Sequence, residues 1–378
     1  MHSYWEKKHF VGDADLVVIG CGIVGLSAAI SLKESKPQLK IQILEKGYLP
    51  SGASTKNAGF ACFGSLSELL DDINFIGLDA TLDLVKRRYV GLQILRSRVG
   101  DEQLNYEELG GYEVFREEDD ALYLDCISNL TRINSLLEKT IGIHEIFVPA
   151  DEKLVELGLT AFKHLIKNRI EGQIDAGSMM LALIRRARNL EIDILFGTEV
   201  EQLNTSENAQ VLILKDGTNL KPKHTLVATN GFARQLLPEL DVRPARNQVL
   251  VTSVCTNLKI NGAFHLDRGY YYFRNIDGRI LLGGGRHHGG QVEETSEEGI
   301  TTSVQQDLEQ LLFKYITPHE TPKIEFRWSG TLGLGPYKSP IIKNLQPGLS
   351  VAVRMGGMGV ALGSLVGKEA AEMIDQHL

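Results

Sequence analysis

Three glycines, Gly20, Gly22 and Gly25, form a G-x-G-x-x-G motif, and Glu45 follows the last of them by twenty residues. In such a motif the first glycine permits a tight turn, the second lets the backbone approach a pyrophosphate, and the third lets a helix pack closely on a strand. A carboxylate at Glu45 would accept hydrogen bonds from ribose hydroxyls. The pattern therefore predicts a dinucleotide site. A glycine turn needed only for packing would leave Glu45 unexplained.

The elements around this motif are those of a βαβ unit. Residues 16–19 are apolar on both faces and predict a buried strand, residues 23–32 have helical spacing, and residues 41–44 predict a second buried strand that ends at Glu45. The helix N-terminus after the glycine turn would offer free amides and a partial positive charge to phosphates.

Three later features favour FAD over NAD. A small-residue loop, residues 51–59, directly follows the ribose carboxylate, where a long extended cofactor would continue. The segments 175–203 and 226–231, much later in the chain, are expected to add strands to the domain that holds the glycine motif. The glycine-rich stretch 354–359 opens the final helix, whose backbone amides could stabilise negative charge that develops on a reduced flavin. An ordinary helix cap accounts for that last stretch equally well.

The remaining pattern predicts the fold class, which is α/β with an α+β substrate domain. Helices are expected over 66–100, 122–137, 179–189 and 360–374, and alternating residues predict antiparallel strands at 249–254 and 270–282. Residues 51–65 are too rich in Gly, Ala and Ser for a regular helix. We expect a Rossmann-like FAD-binding domain (1–80, 145–235 and 325–378) interleaved with an antiparallel-sheet substrate domain (81–144 and 236–324).

Composition limits the possible partners. The 378 residues include 40 Lys and Arg and 48 Asp and Glu, which gives a formal net charge of −8 and argues against a nucleic-acid partner. No apolar run is long enough for a transmembrane segment, and the first ten residues lack the pattern of a signal peptide. The four cysteines form no CxxC pair, so no metal site is expected. We expect a cytoplasmic protein that acts on a small molecule, with its oligomeric state open.

The order of motifs over nearly the whole chain resembles the flavoenzyme family of D-amino-acid oxidase, glycine oxidase and monomeric sarcosine oxidase. The more specific motifs are VVIGCGIVGLSAA with Glu45 and the terminal RMGGMGVALGSLVG. The resemblance implies FAD that is not covalently bound, since no cysteine lies between residues 256 and 378. It also implies hydride removal from a carbon that bears an amine, followed by imine hydrolysis, or from a carbon that bears a hydroxyl.

The glycine motif and the resemblance together give a set of candidate FAD-binding residues. They are Gly20, Gly22, Ile23, Val24, Gly25, Glu45, Lys46, Ala53, Ser54, Thr55, Asn57, Ala58, Gly59, Val200, Ala228, Thr229, Gly231, Gly356, Gly357, Met358, Gly359 and Val360. By the same analogy Lys56 would lie beside the flavin ring, and Cys62 nearby is expected to be a buried thiol.

The sequence departs from the family at the positions that recognise substrate and oxygen. Trp328-Ser329-Gly330 is not followed by the arginine that holds the substrate carboxylate in glycine-oxidase-like members, and residues 358–361 lack the lysine of sarcosine-oxidase-like members. Residues 280–282 are apolar where sarcosine oxidases hold a lysine thought to help oxygen react. The electron acceptor, oxygen or another, therefore stays open.

Candidates for substrate contacts lie on the strand of residues 270–274. Tyr270 and Tyr272 share one face and Tyr271 and Phe273 the other, so one pair should face the flavin, although a packed sheet face is an equal alternative. No catalytic residue is assigned, and the candidates are Tyr272, Arg274 and His287. The arginines nearest to the family's active-site motifs are Arg274, Arg286, Arg327 and Arg354, and each could instead be a surface arginine.

These observations favour an FAD enzyme, an oxidase or dehydrogenase, that oxidises a small amine or amino acid by hydride transfer to flavin N5. A second interpretation is an FAD-linked 2-hydroxy-acid dehydrogenase, which would need a base such as His287 to accept the hydroxyl proton. A third is a flavoprotein whose catalytic pocket has degenerated. A fourth, an NAD-dependent dehydrogenase, would be colourless when pure.

Overall fold

The computed structural model of the chain describes residues 3–9, 12, 14–206 and 209–378, so part of the predicted segment 1–80 lies outside the described residues. The α-helices are α1 (Tyr4–His9), α2 (Ile23–Ser35), α3 (Ala53–Lys56), α4 (Leu66–Ile76), α5 (Leu78–Val99), α6 (Asp101–Leu104), α7 (Asp120–Ile141), α8 (Ala176–Asn189), α9 (Thr302–Leu311) and α10 (Gly359–Asp375). The strands are β1 (Leu16–Ile19), β2 (Ile41–Glu45), β3 (Phe60–Ala61), β4 (Gly111–Phe115), β5 (Phe147–Pro149), β6 (His164–Asn168), β7 (Gly172–Gln173), β8 (Asp193–Phe196), β9 (Val200–Ser206), β10 (Ala209–Leu214), β11 (Asn219–Leu220), β12 (His224–Val227), β13 (Arg243–Thr252), β14 (Ala263–Leu266), β15 (Tyr271–Ile276), β16 (Arg279–Gly284), β17 (Ile324–Leu334), β18 (Ile341–Gln346) and β19 (Leu349–Val353).

A six-stranded sheet forms the first layer, in the order β18-β19-β12-β1-β2-β8. The strands from β19 to β8 run parallel, and only the edge strand β18 is antiparallel to its neighbour. Every residue of β1 and β2 is buried, as their continuous apolar pattern predicts. Because parallel strands end at the same edge, the loops after β1, β2 and β12 come together there.

An eight-stranded sheet forms the second layer, in the order β17-β13-β16-β15-β14-β4-β6-β5. Its pairs are antiparallel except for β14 and β4, which run parallel. On β15, Tyr271 and Phe273 belong to the core of this layer, and the Phe273 ring stacks on the Phe264 ring at 4.8 Å. The opposite face of β15, which carries Tyr272, is turned towards the first sheet's loops.

Helices α2, α5 and α10 pack together through glycines. A Cβ atom on Gly363 would lie 2.6 Å from Ile23 Cγ2, and one on Gly367 would lie 2.5 Å from Ser27 Cβ, so α10 approaches α2 without intervening side chains. A Cβ atom on Gly91 of α5 would lie 2.1 Å from the backbone oxygen of Ala361. The glycines therefore set the separation of the three helices and hence the position at which α10 begins.

The structure refines several expectations from the sequence. The predicted helix over 66–100 is interrupted by Gly77, whose φ of +87° ends α4 and begins α5. The small-residue loop contains the single helical turn α3. The division into domains stays a prediction, but sheet membership differs from its boundaries, since β5, β6 and β17 belong to the eight-stranded sheet although segments 145–235 and 325–378 were expected on the FAD side.

We expect Gly91→Ala to destabilise the protein by about 1–3 kcal/mol, because the added methyl group overpacks the contact between α5 and α10. Gly177→Ala in the first turn of α8 is the matched control, since Gly177 is exposed and its Cβ would meet the Asp175 side chain at 3.2 Å rather than the backbone of another helix. Urea unfolding of both variants measures the difference. Equal stability of the two variants would contradict this account of the helix contact.

Candidate functional site

One large cleft lies between the carboxyl edge of the six-stranded sheet and the Tyr272 face of the eight-stranded sheet. Its volume is about 1030 Å³, at the upper end of the roughly 300–1,000 Å³ of small-molecule sites. The glycine turn after β1 and the Glu45 carboxylate line one end, and Tyr270 and Tyr272 line the other. A long, extended ligand would therefore contact both sheets.

The glycine turn after β1 has the shape that a dinucleotide site requires. Gly20 has a φ of +108°, and a Cβ atom on Gly25 would lie 2.1 Å from the Gly20 oxygen, so neither position tolerates a side chain. Gly22 precedes α2, and the amide of Ile23 in the first turn donates to Ser54 Oγ at 3.1 Å. The acceptor at this helix N-terminus is thus a neutral hydroxyl in a position that also suits phosphate.

The Glu45 carboxylate is fixed at the end of β2. One oxygen accepts a hydrogen bond from the Cys21 amide at 3.0 Å and the other from the Gly47 amide at 3.1 Å. The side chain is buried and lines the cleft. The carboxylate is therefore held rigidly beside the glycine turn, where it can accept the hydrogen bonds of ribose hydroxyls.

Whether FAD fits this end of the cleft can be judged from the polar groups of the protein that have no partner there. Thr229 lines the cleft after β12, and its hydroxyl is buried and has no hydrogen-bond partner among the described residues. Lys46 Nζ lies 4.3 Å from the centre of the Phe232 ring and has no carboxylate partner among them. An unpartnered hydroxyl, a cation and a helix N-terminus around one end of the cleft fit the adenosine diphosphate half of FAD.

The N-terminus of α10 reaches the middle of the cleft. Asn230 Oδ1 accepts hydrogen bonds from the Arg354 and Met355 amides at 3.1 and 3.2 Å, which fixes the chain just before the helix. Gly356 and Gly357 follow with φ of +59° and +87°. The two glycines just before α10 therefore present backbone without side chains to a ligand in the cleft, next to the N-terminus of the helix.

The loop after β2 is held against the cleft by three side chains. Within the loop Asn57 Nδ2 donates to the Ser54 oxygen at 2.7 Å, and Trp328 Nε1 from β17 donates to the Lys56 oxygen at 3.0 Å. The Arg274 guanidinium donates to the backbone oxygens of Gly59 and Ile174 at 2.9 and 2.8 Å. Arg274 thus positions the loop, and its burial lowers its pKa to about 10.

Aromatic side chains form the wall at the far end of the cleft. The Tyr272 hydroxyl accepts a hydrogen bond from Asn247 Nδ2 at 2.9 Å, and the Phe60 ring contacts the rings of Tyr272 and His265 edge-to-face at 5.4 and 5.2 Å. Burial raises the pKa of Tyr272 and lowers that of His265 to about 4. Both side chains are therefore neutral at pH 7.

The charged side chains in this half of the cleft are mostly paired. Lys338 Nζ lies 3.2 Å from Glu68 Oε1 and 2.6 Å from Asp72 Oδ1, and Lys56 forms an ion pair with Glu298. Arg268 contacts Asp71 and Asp267 at 3.8 and 3.4 Å. The Arg286 side chain, by contrast, lines the cleft and has no ion pair or hydrogen bond among the described residues. Arg243, at the start of β13, also lines the cleft without such a partner, but Arg286 follows β16, which pairs with the strand of Tyr272, and is therefore the available arginine on the side of the aromatic wall.

Most of the candidate FAD-binding residues line the cleft. Those that do not line it are Gly25, Thr55, Gly59 and Gly231, and each supports the residues that do. Gly25 packs on the Gly20 oxygen, Gly59 is bound by Arg274, and a Cβ atom on Gly231 would lie 2.4 Å from the Leu332 oxygen. Lys56 and Cys62 also line the cleft, and burial raises the pKa of the Cys62 thiol well above its usual range.

Among the catalytic candidates the structure places Tyr272 in the cleft but not Arg274 or His287. The Arg274 guanidinium is committed to backbone oxygens. The His287 ring lies outside the lining, against the rings of Tyr270 and Tyr271 at 5.0 and 5.6 Å. Arg327 binds Gln305 and Glu309, and Arg354 binds Asp241, so of the four arginines that the sequence singles out only Arg286 lines the cleft.

Sequence reasoning missed His265, Asn247 and Glu68, which also line the cleft. His265 lies singly in a short apolar strand, Asn247 lies between other polar residues of β13, and Glu68 lies on a helix of ordinary pattern. No local signal separates such residues from core or surface positions, because the sheet pairing alone brings them to the cleft. The described helices include none that is long and apolar enough to cross a membrane.

Comparison with protein families agrees with this site. A family model described as "FAD dependent oxidoreductase" matches residues 15–373. The chain is also 22% identical over 376 residues to a protein named "Probable oxidoreductase OrdL" of Haemophilus influenzae, a match that covers 96% of this chain and 83% of the relative.

Solved structures with the same fold include two enzymes that act on amino acids. Glycine oxidase from Bacillus cereus superposes with a TM-score of 0.74 at 19% identity, covering 97% of this chain and 96% of the enzyme. L-proline dehydrogenase from P. horikoshii superposes with a TM-score of 0.76 at 17% identity, covering 96% and 93%. At these identities the likeness establishes the fold, and the predicted Rossmann-like region with antiparallel sheet is confirmed.

We expect Glu45→Gln to weaken FAD binding by about 10- to 100-fold, because removing a charge-assisted hydrogen bond costs about 1.5–3 kcal/mol. Glu34→Gln is the matched control, since Glu34 lies at the exposed end of α2 and pairs with Arg186 outside the cleft. Quenching of flavin fluorescence during FAD titration of the apoprotein gives both dissociation constants. Unchanged FAD affinity of Glu45→Gln would remove Glu45 from the site.

Proposed function

The chain belongs to the family of FAD-dependent oxidoreductases, and we propose that it oxidises a small amine or amino acid by hydride transfer from the substrate carbon to flavin N5. The family is that of glycine oxidase, which the order of sequence motifs resembles. The residues at the aromatic end of the cleft support a substrate whose reacting carbon bears an amine.

One observation carries the proposal, namely the continuity of a single cleft from the glycine turn to the aromatic wall. The N-terminus of α2 and Glu45 lie at one end, the N-terminus of α10 in the middle, and Tyr272 at the other end. When bound, FAD supplies the hydride acceptor. The chain's own residues contribute binding, orientation and a low-dielectric surrounding for the substrate.

The aromatic wall suits a neutral amine. An amine must lose its extra proton before it can release a hydride, and a site of low polarity disfavours the cationic form. Phe60, Tyr272 and the neutral His265 provide such a surrounding. The Tyr272 hydroxyl accepts its hydrogen bond from Asn247 and keeps its own proton for donation to substrate.

Arg286 is the group that we propose to bind a substrate carboxylate. A guanidinium can hold a carboxylate through two parallel hydrogen bonds. Among the described residues its side chain has no protein partner, whereas Lys56, Arg268 and Lys338 are paired with carboxylates. An α-amino acid therefore fits this half of the cleft better than an amine without a carboxylate.

A 2-hydroxy acid is the second candidate substrate. Its oxidation needs a base for the hydroxyl proton. His287 does not line the cleft, but His265 does and takes the place of His287 in this alternative. The electron acceptor, oxygen or another compound, is open in both cases. We also propose a cytoplasmic location, which is supported by four buried cysteines without disulfides.

Anaerobic bleaching of the bound flavin tests the proposal. The FAD-loaded protein is mixed without oxygen with each member of a library of amino acids, amines and 2-hydroxy acids, and the flavin absorbance is followed. We expect at least one amino acid to reduce the flavin. Reduction by 2-hydroxy acids alone would favour the second candidate, and no reduction by any compound would support a flavoprotein with a degenerated pocket.

We expect Arg286→Gln to raise the KM for the amino acid by about 10- to 100-fold with a smaller change in kcat, because a charged hydrogen bond of about 1.5–3 kcal/mol is lost on substrate binding. Arg327→Gln is the matched control, since Arg327 binds Gln305 and Glu309 away from the cleft. Steady-state kinetics measure both variants. An unchanged KM in Arg286→Gln would assign carboxylate recognition to another residue.

A further inference from the structure

A second, much smaller cavity lies directly behind the aromatic wall. Its volume is about 10 Å³, close to the roughly 10–15 Å³ that one water molecule needs. Within the described part of the chain, His265 is the residue that lines both this cavity and the large cleft. The small cavity is lined by Ser65, Gly111, Tyr112, Glu113, Phe147, Ile166, Asn168, Glu171 and His265.

Two buried polar atoms at this cavity have no hydrogen-bond partner among the described residues. They are Nε2 of His265, a residue that is 7% exposed, and Nδ2 of Asn168, a residue that is 3% exposed. Buried polar groups are nearly always hydrogen-bonded to protein or to ordered water. Together the volume and the unpartnered atoms describe a site for one water molecule.

Two buried carboxyl groups complete the cavity. Glu171 accepts hydrogen bonds from the Phe63 and Gly64 amides at 2.8 and 3.2 Å, and its Oε2 lies 3.9 Å from His265 Nε2. Glu113 lies beside His265 in the pairing of β14 with β4 and accepts hydrogen bonds from the Ser65 hydroxyl at 3.2 Å and from the Ser67 amide at 3.1 Å. Neither carboxyl has a lysine or arginine partner within 4 Å among the described residues.

Burial gives both carboxyls an affinity for protons that is unusual for glutamate. It raises the pKa of Glu171 to about 8 and that of Glu113 to about 7, and the hydrogen bonds that each accepts only partly offset this. The two groups can therefore take up and release a proton near neutral pH, where most enzymes work. Proton transfer is most efficient when the pKa of the group lies near the working pH.

We propose that the small cavity holds one water molecule and that His265 passes the substrate's proton through it to the carboxyl pair of Glu171 and Glu113. The proposal rests on the proposed function, because it assigns the destination of the proton that an amine or hydroxyl substrate loses before oxidation. His265 contacts substrate and is the catalytic residue, whereas Glu171 and Glu113 act through it.

The proton balance of the step closes within the chain. In the proposed step Nδ1 of His265, the ring nitrogen other than the one at the small cavity, accepts one proton from the substrate ammonium, which becomes a neutral amine. His265 releases the proton on Nε2 to the water, and the water passes a proton to whichever of the Glu171 and Glu113 carboxyls is ionised, which is chiefly Glu113 at pH 7 and either of them above pH 8. The net result is one protonated carboxyl and one neutral amine, with the imidazole neutral before and after the transfer.

The titratable and charged groups that surround this pair lie on several elements. Glu68 on α4 raises the pKa of Glu171 and Arg88 on α5 lowers it. Glu68 also raises the pKa of Glu113. Tyr272 on β15 lies opposite His265 in the sheet, and Cys62 lies close to Glu171. Tyr272 and Cys62 stay protonated at neutral pH because burial raises the pKa of both, so the two carboxyls are the groups that can accept the substrate's proton.

The pH dependence of stability tests the buried carboxyls without any turnover. A carboxyl whose pKa is raised on folding binds more protons in the folded protein, so its contribution to stability is full below about pH 4.5 and is lost as the pH rises towards 8. We therefore compare the unfolding temperatures of Glu171→Gln and of the unchanged protein at each pH. We expect the variant to become more stable relative to the unchanged protein as the pH rises from 5 to 8.5. Both proteins are measured saturated with FAD, and Glu239→Gln, at an exposed glutamate without an ion pair or hydrogen bond among the described residues, is the control.

The kinetic test compares rates of anaerobic flavin reduction between pH 5.5 and 9. We expect His265→Gln and Glu171→Gln to lower the rate constant at pH 8.5, where Glu171 is largely ionised, by about 100-fold, the lower end of the effect of a general base, and to remove the inflection near pH 7–8. His224→Gln is the matched control, because His224 is equally buried and has a pKa lowered to about 4, yet lies outside the cleft.

The outcomes separate this inference from the proposed function. If no substrate reduces the flavin of the unchanged protein, the proposed function fails. If a substrate does, but Glu171→Gln keeps the rate and pH profile of the unchanged protein, the proton path alone is overturned. A pH-independent stability difference for Glu171→Gln, or a crystal structure of the FAD-loaded protein with no water at His265 Nε2 and Asn168 Nδ2, also overturns it.

Discussion

The close contact of α2 with α10 is the constraint on which the rest of the cleft depends. Both helices begin at the cleft, and both must point their N-termini at the same ligand. They can do so because Gly363 and Gly367 of α10 leave no side chain between it and Ile23 and Ser27 of α2. The partial positive charge of two helix N-termini is thereby focused on one extended site, which suits a cofactor with a pyrophosphate and a flavin that becomes negative on reduction.

The eight-stranded sheet contributes chemistry of a different kind. Its wall is aromatic and largely neutral on the cleft side, and it has buried carboxyls behind it. Arg274 joins the two layers by binding the backbone of the loop after β2, so the residues beside the flavin and those beside the substrate are held in one rigid arrangement. In such a site, orientation and desolvation contribute more than any single side chain.

The sequence predicts the cofactor half well and the substrate half poorly, and the reason is physical. The β1–α2–β2 unit and Glu45 are specified by local pattern, because the glycine turn, the apolar strands and the carboxylate are contiguous in the chain. The alternation along β15 likewise predicts that Tyr272 and Tyr271 face opposite ways. By contrast, His265 reaches Glu171 only through the register of β14, β4 and β6, and no local pattern encodes pairing between strands so distant in sequence.

The central claim is that this cleft holds one FAD molecule without a covalent bond. Its most direct measurement is the absorbance spectrum of the purified protein, followed by quantification of the flavin that denaturation releases. We predict a yellow protein that releases one FAD per chain into solution. A colourless protein that takes up no FAD when incubated with an excess of it would contradict the claim, as would flavin that stays attached to the denatured chain.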